Sequence, residues 1–139
     1  MLVKNLKGKL APMFLVGVLV GGVVIVINNN TSGNSQYSAQ VNVPQFSRIA
    51  VEGRDLFNAN CSACHGQNAS GTDNGPPLIH DYYKPNHHGD GAFINAALKG
   101  VRAHHWRFGN MPPVEGMTKP EVLKIVRYVR ELQRANGIM

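Results

Sequence analysis

Five consecutive residues carry the side chains with the most distinctive chemistry in this chain: Cys61-Ser62-Ala63-Cys64-His65. Two thiols separated by two residues can add to the two vinyl groups of a haem, and a histidine directly after the second thiol can ligate the iron. The pattern is typical of c-type haem attachment. It predicts one haem c, bound covalently through Cys61 and Cys64, with His65 as the proximal iron ligand.

Two other uses of a C-x-x-C pair fit this sequence less well. A thioredoxin-like redox couple is expected within a βαβ pattern, and the sequence shows no such pattern. A structural zinc site usually takes its four ligands from two pairs of residues. The chain has only these two cysteines, and the adjacent His87 and His88 would be poor substitutes for a second pair. Haem attachment is therefore the favoured interpretation.

The composition indicates one small domain with a modest core of its own. The chain has 139 residues, of which 43% are hydrophobic and 7% aromatic, so a large buried cofactor would supply part of the core. Its formal net charge is +6, but three of the 14 basic residues lie within the first ten positions. The remaining 11 basic and 8 acidic residues are too scattered for a nucleic-acid surface. They do suit docking to an acidic protein.

The N-terminal part predicts a membrane anchor. Residues 1–10 are basic, and residues 11–27 are an uninterrupted apolar run. As a helix this run would span about 25 Å, slightly less than the ~30 Å hydrocarbon core of a bilayer. It is longer than the apolar part of most cleaved signals. We predict a single-pass helix in a bacterial inner membrane, with residues 1–10 in the cytoplasm and the haem domain in the periplasm. A secretory signal cleaved near residues 31–33 is the alternative.

A linker and a haem domain are predicted after the anchor. Residues 28–43 are rich in Asn, Ser, Gly and Gln, which favours a flexible tether. The domain would then occupy residues 44–139. Its first helix is predicted from a cap at Ser47 to about Asn60, with one face formed by Ile49, Gly53, Leu56 and Phe57.

Two further helices are predicted towards the C-terminus. Asp90 would cap a short helix over residues 91–99 that ends at Gly100. The segment 118–121 is a capping box with proline in the first turn, and Asn136-Gly137 would end the helix that it starts. The apolar stripe of this last helix is Val122, Ile125, Val126, Val129 and Leu132, and its solvated faces would carry Lys124, Arg127, Arg130 and Arg134.

The sixth ligand of the iron is predicted to be Met111. Pro112 follows it and holds the loop extended, which would fix the thioether in place. Met117 is a rival, although it adjoins the capping box and is better placed to pack against the last helix. Histidine is the other possible ligand type, since His80, His87, His88, His104 and His105 lie in predicted loops or at helix ends. A His/Met pair would raise the reduction potential.

With these motifs in place, the chain resembles the small bacterial class I cytochromes c. The resemblance covers residues 44–137 and depends mainly on C-x-x-C-H together with the later M-P. It implies an all-α class I cytochrome c fold of about three to four helices wrapped around one covalent haem, here preceded by a transmembrane helix. It also implies that Gly53 and Phe57 cross the final helix near Ile125 and Tyr128.

The resemblance further implies roles for residues around the haem. Pro76 and Leu78 would belong to the family's G-P-x-L motif. The Pro76 carbonyl would accept a hydrogen bond from the ring of His65, and Leu78 would pack on the haem. Trp106 would reach a haem propionate. The segment 104–108, H-H-W-R-F, departs from the family pattern; its polar residues would form a rim around the haem edge or neutralise the propionates.

The predicted ligation favours electron transfer over catalysis. An iron with both axial positions filled by protein has no site for a substrate, so we expect an electron carrier rather than an enzyme. Its expected partners are redox proteins: a quinol-oxidising complex, a terminal oxidase or a periplasmic dehydrogenase. Two alternatives stay open from the sequence. One is a gas sensor with a labile Met111, and the other is a permanently bound electron-entry subunit of an oxidase or dehydrogenase complex.

Overall fold

A computed structural model of the chain describes residues 36–139. This part is all-α, as predicted, and contains no strand; two isolated β-bridges are its only strand-like pairings. Its helices are α1 (Arg48–Asn60), α2 (Ser62–His65), α3 (Asp90–Lys99) and α4 (Lys119–Ala135), with 3-10 turns at Gln67–Ala69 and Asp81–Tyr83.

The first helix begins where the sequence predicts, and its core face departs from the prediction at one residue. The Ser47 hydroxyl accepts a hydrogen bond from the Ala50 N–H and so caps α1. The buried residues of α1 are Ala50, Gly53 and Phe57. Ile49 is 52% exposed, so its predicted place on the core face was wrong. The buried position in this first turn of α1 is Ala50, which is fully buried next to the exposed Ile49.

The last helix closely follows its predicted pattern. Val122, Ile125, Val126, Val129 and Leu132 are all buried. The Glu121 carboxylate accepts hydrogen bonds from the Thr118 N–H and hydroxyl, at 2.9 and 2.6 Å, as expected of the capping-box residues. These bonds lower the pKa of Glu121. The helix ends at Ala135, and Gly137 has the positive φ of 76° that favours glycine after a helix.

Arg130 was predicted on the solvated surface, and that prediction was wrong. Its residue is only 6% exposed, and its guanidinium lies over the Phe93 ring. It donates hydrogen bonds to Asp90, Gln133 and the carbonyls of Tyr83 and His88, at 2.6–2.8 Å. Position 130 lies four residues after the buried Val126, so it extends the buried face of α4. The Asp90 prediction was also wrong in detail: Gly89 is the N-cap of α3, and the Asp90 carboxylate pairs with Arg130.

Replacing this guanidinium should destabilise the domain. We expect Arg130→Met to lower the free energy of unfolding by about 2 kcal/mol, because Gln133 and two backbone carbonyls lose a charged donor. Arg134→Met is the matched control, since Arg134 is exposed on the same helix and its loss should change stability by no more than about 0.5 kcal/mol. Denaturant unfolding followed by circular dichroism measures both. Equal stability of the two variants would contradict the role given to Arg130.

The described end of the predicted linker lies against the domain. The Ala39 N–H donates to the Ser70 carbonyl at 2.7 Å, and the Asn42 N–H donates to the Asn136 side chain at 2.7 Å. Val41 packs on the core, and the Tyr37 ring contacts Phe108 with centroids 4.8 Å apart. Residues 36–43 thus differ from a free tether, because both their backbone and their apolar side chains find partners.

The membrane prediction falls on other residues. The basic segment 1–10, the predicted anchor 11–27 and the first part of the linker lie outside the described residues. Within residues 36–139, no helix combines the length and apolar character needed to cross a bilayer.

Candidate functional site

The C-x-x-C-H pentad is held by the loop that follows it. The Thr72 hydroxyl donates to the Cys64 carbonyl at 2.6 Å, and the Gly71 N–H donates to the His65 carbonyl at 2.6 Å. Gly75 approaches so closely that a Cβ there would lie 2.9 Å from the Cys64 carbonyl oxygen. The glycine-rich sequence after the pentad therefore allows the loop to wrap around α2 and fix its orientation.

His65 has a defined tautomer. Its Nδ1 lies 2.8 Å from the Pro76 carbonyl oxygen, the contact that the resemblance implies. Because a carbonyl can only accept, Nδ1 carries the proton and Nε2 keeps its lone pair. Burial lowers the pKa of His65, and the bond to Pro76 offsets this only in part. The ring is therefore held neutral, in the form that can ligate a metal.

A cavity of about 490 Å³ opens beside this histidine. Phe57 of α1 and Val122, Ile125 and Val126 of α4 are among the residues that line it, and the lining is largely apolar. A volume of this size is within the range of sites that enclose a cofactor. Of the residues predicted for the haem site, the ones that line it are Cys61, His65, Pro76, Leu78, Trp106 and Met111.

The two cysteines differ in their surroundings. Cys61 lines the cavity, whereas Cys64 is exposed and lies outside its lining. Burial is the main cause that raises the pKa of the Cys61 thiol to about 11, and the neighbouring Cys64 raises it further. Both thiols are free of any disulfide, so both remain available for thioether bonds.

Met111 faces the cavity from a loop that is fixed at the backbone. Its N–H and carbonyl both bond to Val101, at 3.0 and 2.9 Å, and form an isolated antiparallel bridge. Gly100 makes this approach possible: its φ is +77°, and a Cβ there would lie 2.6 Å from the Met111 carbonyl oxygen. The rival Met117 also lines the cavity, while it packs against the core.

Trp106 has a partner within the protein. Its indole N–H donates to the Tyr83 hydroxyl at 3.2 Å, and both residues line the cavity. Burial raises the pKa of Tyr83 to about 12, so this phenol stays protonated. The contact of Trp106 with a haem propionate stays a prediction. Tyr83 and Phe93 are cavity residues that the sequence analysis did not identify. Phe93 lies in the helix predicted over residues 91–99 and Tyr83 lies before it, and the local pattern at neither position indicates that the side chain faces a cavity.

Together these residues fit a covalently bound haem. The two thiols, a neutral imidazole with a free Nε2 and an apolar cavity supply what the attachment and burial of a porphyrin require. On the cavity wall that contains Met111, the thioether offers a second ligand of the kind that haem iron accepts.

The comparisons with known proteins agree with this arrangement. A sequence model of the family described as cytochrome c matches residues 50–133. Among solved structures, the chain is similar to cytochrome cL from the marine methylotrophic bacterium Methylophaga aminisulfidivorans MPT, with 28% identity and a TM-score of 0.51. That match covers 67% of this chain and 61% of the cytochrome cL chain, so the chain spans less than two thirds of its relative. Comparison with curated protein sequences gives no match.

The family match covers more than half of the chain and includes the pentad, the Gly53 crossing, the Met111 loop and most of α4. The cofactor that the family implies is haem c, and Cys61 and Cys64 are the two thiols that bind it. The fold, the cavity and the sequence match lead to the same conclusion: the chain belongs to the cytochrome c family.

Proposed function

We propose that the protein carries single electrons between redox partners, with the haem iron held between His65 and Met111. Bound haem supplies one-electron chemistry by changing between its ferric and ferrous states. The main support is that both side chains line one cavity and that a backbone group elsewhere in the chain holds each residue in place. His65 is held by the Pro76 carbonyl, and Met111 is held by its bridge to Val101. Rigid ligands on both sides leave no position for a substrate and keep the reorganisation on electron transfer small.

The proposed location is the periplasmic face of a bacterial inner membrane. Support for it comes from the sequence alone, namely the basic residues 1–10 followed by the apolar run 11–27. Attachment to an anchor at residues 11–27 would keep the haem domain near membrane-bound partners. These partners would be a quinol-oxidising complex, a terminal oxidase or a periplasmic dehydrogenase.

Positive charge near the cavity suits docking to an acidic partner. Arg102 lines the cavity and is exposed, and Arg107 is exposed beside Trp106. Neither forms an ion pair within residues 36–139, whereas Lys84, Lys124 and Arg127 do. Exposed charges of this kind raise association rates more than affinity, and salt screens them.

Absorption spectra of the purified protein test the ligation. The ferric protein is expected to show a sulfur-to-iron charge-transfer band, and the ferrous protein should not bind carbon monoxide. Both results follow if a methionine occupies the sixth position. A ferrous form that binds carbon monoxide readily would contradict the carrier and support a gas-binding protein with a labile ligand.

Kinetics and native gels test the partner. Stopped-flow oxidation by an acidic partner should slow as salt rises from about 20 to 200 mM, because the Debye length shortens across this range. A rate that does not depend on salt would contradict charge-guided docking.

Detergent extraction followed by native electrophoresis should release a free cytochrome. Comigration with an oxidase or dehydrogenase would instead make it a permanent subunit.

A further inference from the structure

Four histidines that take no part in the proposed ligation form one cluster at the edge of the cavity. His87 and His88 come from the loop before α3, and His104 and His105 come from the loop before Met111. Ring centroids lie 4.6 Å apart within the first pair and 4.3 Å apart within the second, and His88 and His105 lie 5.2 Å apart across the loops. His88, His104 and His105 also line the cavity.

The hydrogen bonds of two of these rings fix their tautomers. The Nδ1 of His88 bonds to the Tyr82 carbonyl, and the Nδ1 of His104 bonds to the Arg102 carbonyl at 2.9 Å. A carbonyl only accepts, so both Nδ1 atoms carry protons. In the neutral rings both Nε2 atoms are then unprotonated, and these two atoms lie only 3.4 Å apart. Two lone pairs facing each other repel, and a shared cation removes the repulsion.

The spacing of the nitrogens suits a metal ion. A tetrahedral ion with metal–nitrogen bonds of about 2.0–2.1 Å places neighbouring ligand atoms roughly 3.3–3.4 Å apart. The His87 and His105 Nε2 atoms lie 3.3 Å apart, and the His88 and His104 Nε2 atoms lie 3.4 Å apart. Ligand atoms of His87, His88 and His105 all lie within 4.8 Å of one another. Three imidazoles can therefore meet one ion with small side-chain movements.

Neighbouring groups already hold this arrangement. Arg130 donates to the His88 carbonyl at 2.6 Å, and this bond fixes the first loop against α4. The His105 ring stacks on Tyr82 with centroids 4.4 Å apart and an interplanar angle of 19°. Backbone carbonyls on the far nitrogens of His88 and His104 are the partners that metal-ligating histidines commonly have, and they orient the ring and raise its basicity.

We propose that His87, His88 and His105 bind a divalent transition-metal ion at the edge of the cavity, with His104 next to the ion. Imidazole donors suit Zn²⁺, Cu²⁺ and Ni²⁺, whereas Ca²⁺ and Mg²⁺ require oxygen ligands. Among the ions that fit, Cu²⁺ should bind most tightly, in accordance with the Irving–Williams order. This site does not depend on the electron-carrier role, so either proposal can fail without the other.

Metal binding by the haem-loaded full chain tests the site. Purified protein in detergent is stripped with chelator, mixed with Cu²⁺ or Zn²⁺, desalted and analysed for metal and iron. We expect one ion per haem. For Cu²⁺, the electron paramagnetic resonance spectrum should show coupling to several nitrogens. Competition with a chelator of known affinity then gives the dissociation constant for each variant.

Three variants make the test specific. His105→Ala and His87→Ala each remove one proposed ligand. Loss of a residue that only supports a ligand usually lowers metal affinity roughly tenfold or more, so loss of a ligand should lower it by at least as much. His80→Asn is the matched control: it also removes one imidazole, but it lies outside the triad and keeps an acceptor for the Tyr82 N–H. Unchanged haem absorption and thermal unfolding show that each variant is folded.

The proposal is supported if the control binds like the original chain while either ligand variant binds less tightly. Equal affinities of His87→Ala, His105→Ala and His80→Asn would overturn it, and so would less than about half an ion per haem in the original chain. In the second case the two facing nitrogens of His88 and His104 would share a proton instead of a metal.

Discussion

Met111→Ala is expected to abolish the sulfur-to-iron charge-transfer band of the ferric protein and to let carbon monoxide bind to the ferrous form. Alanine has no sulfur to donate, so the sixth position becomes open to water or to an added ligand. The reduction potential should also fall, because methionine as an axial ligand raises it. The bridge between residues 101 and 111 involves only backbone atoms, so it can form in the variant and keep the loop in place.

Met117→Ala is the control for this experiment. Met117 also lines the cavity, so its replacement removes a sulfur and a similar volume from the same site. If Met111 is the ligand, Met117→Ala keeps the band and still excludes carbon monoxide. The reverse pattern would assign the ligand to Met117. If both variants kept the band, neither methionine would be the ligand. If the original protein lacked the band and still excluded carbon monoxide, the sixth ligand would be a histidine.

Gly53→Ala is expected to destabilise the domain by about 3 kcal/mol or more. A Cβ at position 53 would lie 1.9 Å from the Lys124 carbonyl oxygen and 2.5 Å from its carbon. Both atoms belong to the backbone of α4, so no side-chain rotation relieves the clash and the two helices must separate. Overpacking a core usually costs about 1–3 kcal/mol, and a backbone clash lies at the upper end. The gain of about 1 kcal/mol in helix propensity offsets only part of this.

Gly91→Ala provides the matched control. Gly91 is also a helical glycine, but a Cβ there meets no atom within 4 Å. That substitution should leave stability unchanged or raise it slightly. Urea unfolding of the haem-loaded proteins measures the difference. If both variants were equally stable, the close crossing of α1 and α4 would be contradicted.

The crossing also connects stability to the site. Phe57 lies one helical turn after Gly53 in α1. It lines the cavity and packs on Tyr128, with ring centroids 5.4 Å apart. Separation of the two helices should therefore weaken the packing of the side chains with which they line the cavity. We expect Gly53→Ala to bind carbon monoxide measurably while Gly91→Ala excludes it like the original chain, even though residue 53 is not part of the cavity lining.

The sequence by itself determined those features whose causes are local. The pentad predicts its chemistry because covalent attachment requires two thiols and an imidazole at fixed spacing along the chain. The capping box at Thr118 and the stripe from Val122 to Leu132 predict α4, since both depend on contacts within one or two helical turns. Gly53 is a partial case: periodicity places it on one face of α1, but its crossing with α4 was predicted only from the resemblance to a family.

Only the tertiary structure decided which side chains meet across distant parts of the chain. Arg130 reads as a surface residue in the sequence, and it is buried because Asp90 and two loop carbonyls are brought to its guanidinium. The histidine pairs 87–88 and 104–105 read as polar loop residues, and they form one cluster because α3 and its two flanking loops fold back on each other. Such contacts depend on how helices pack, and periodicity within one helix carries no information about the charge or the carbonyl that another segment will present.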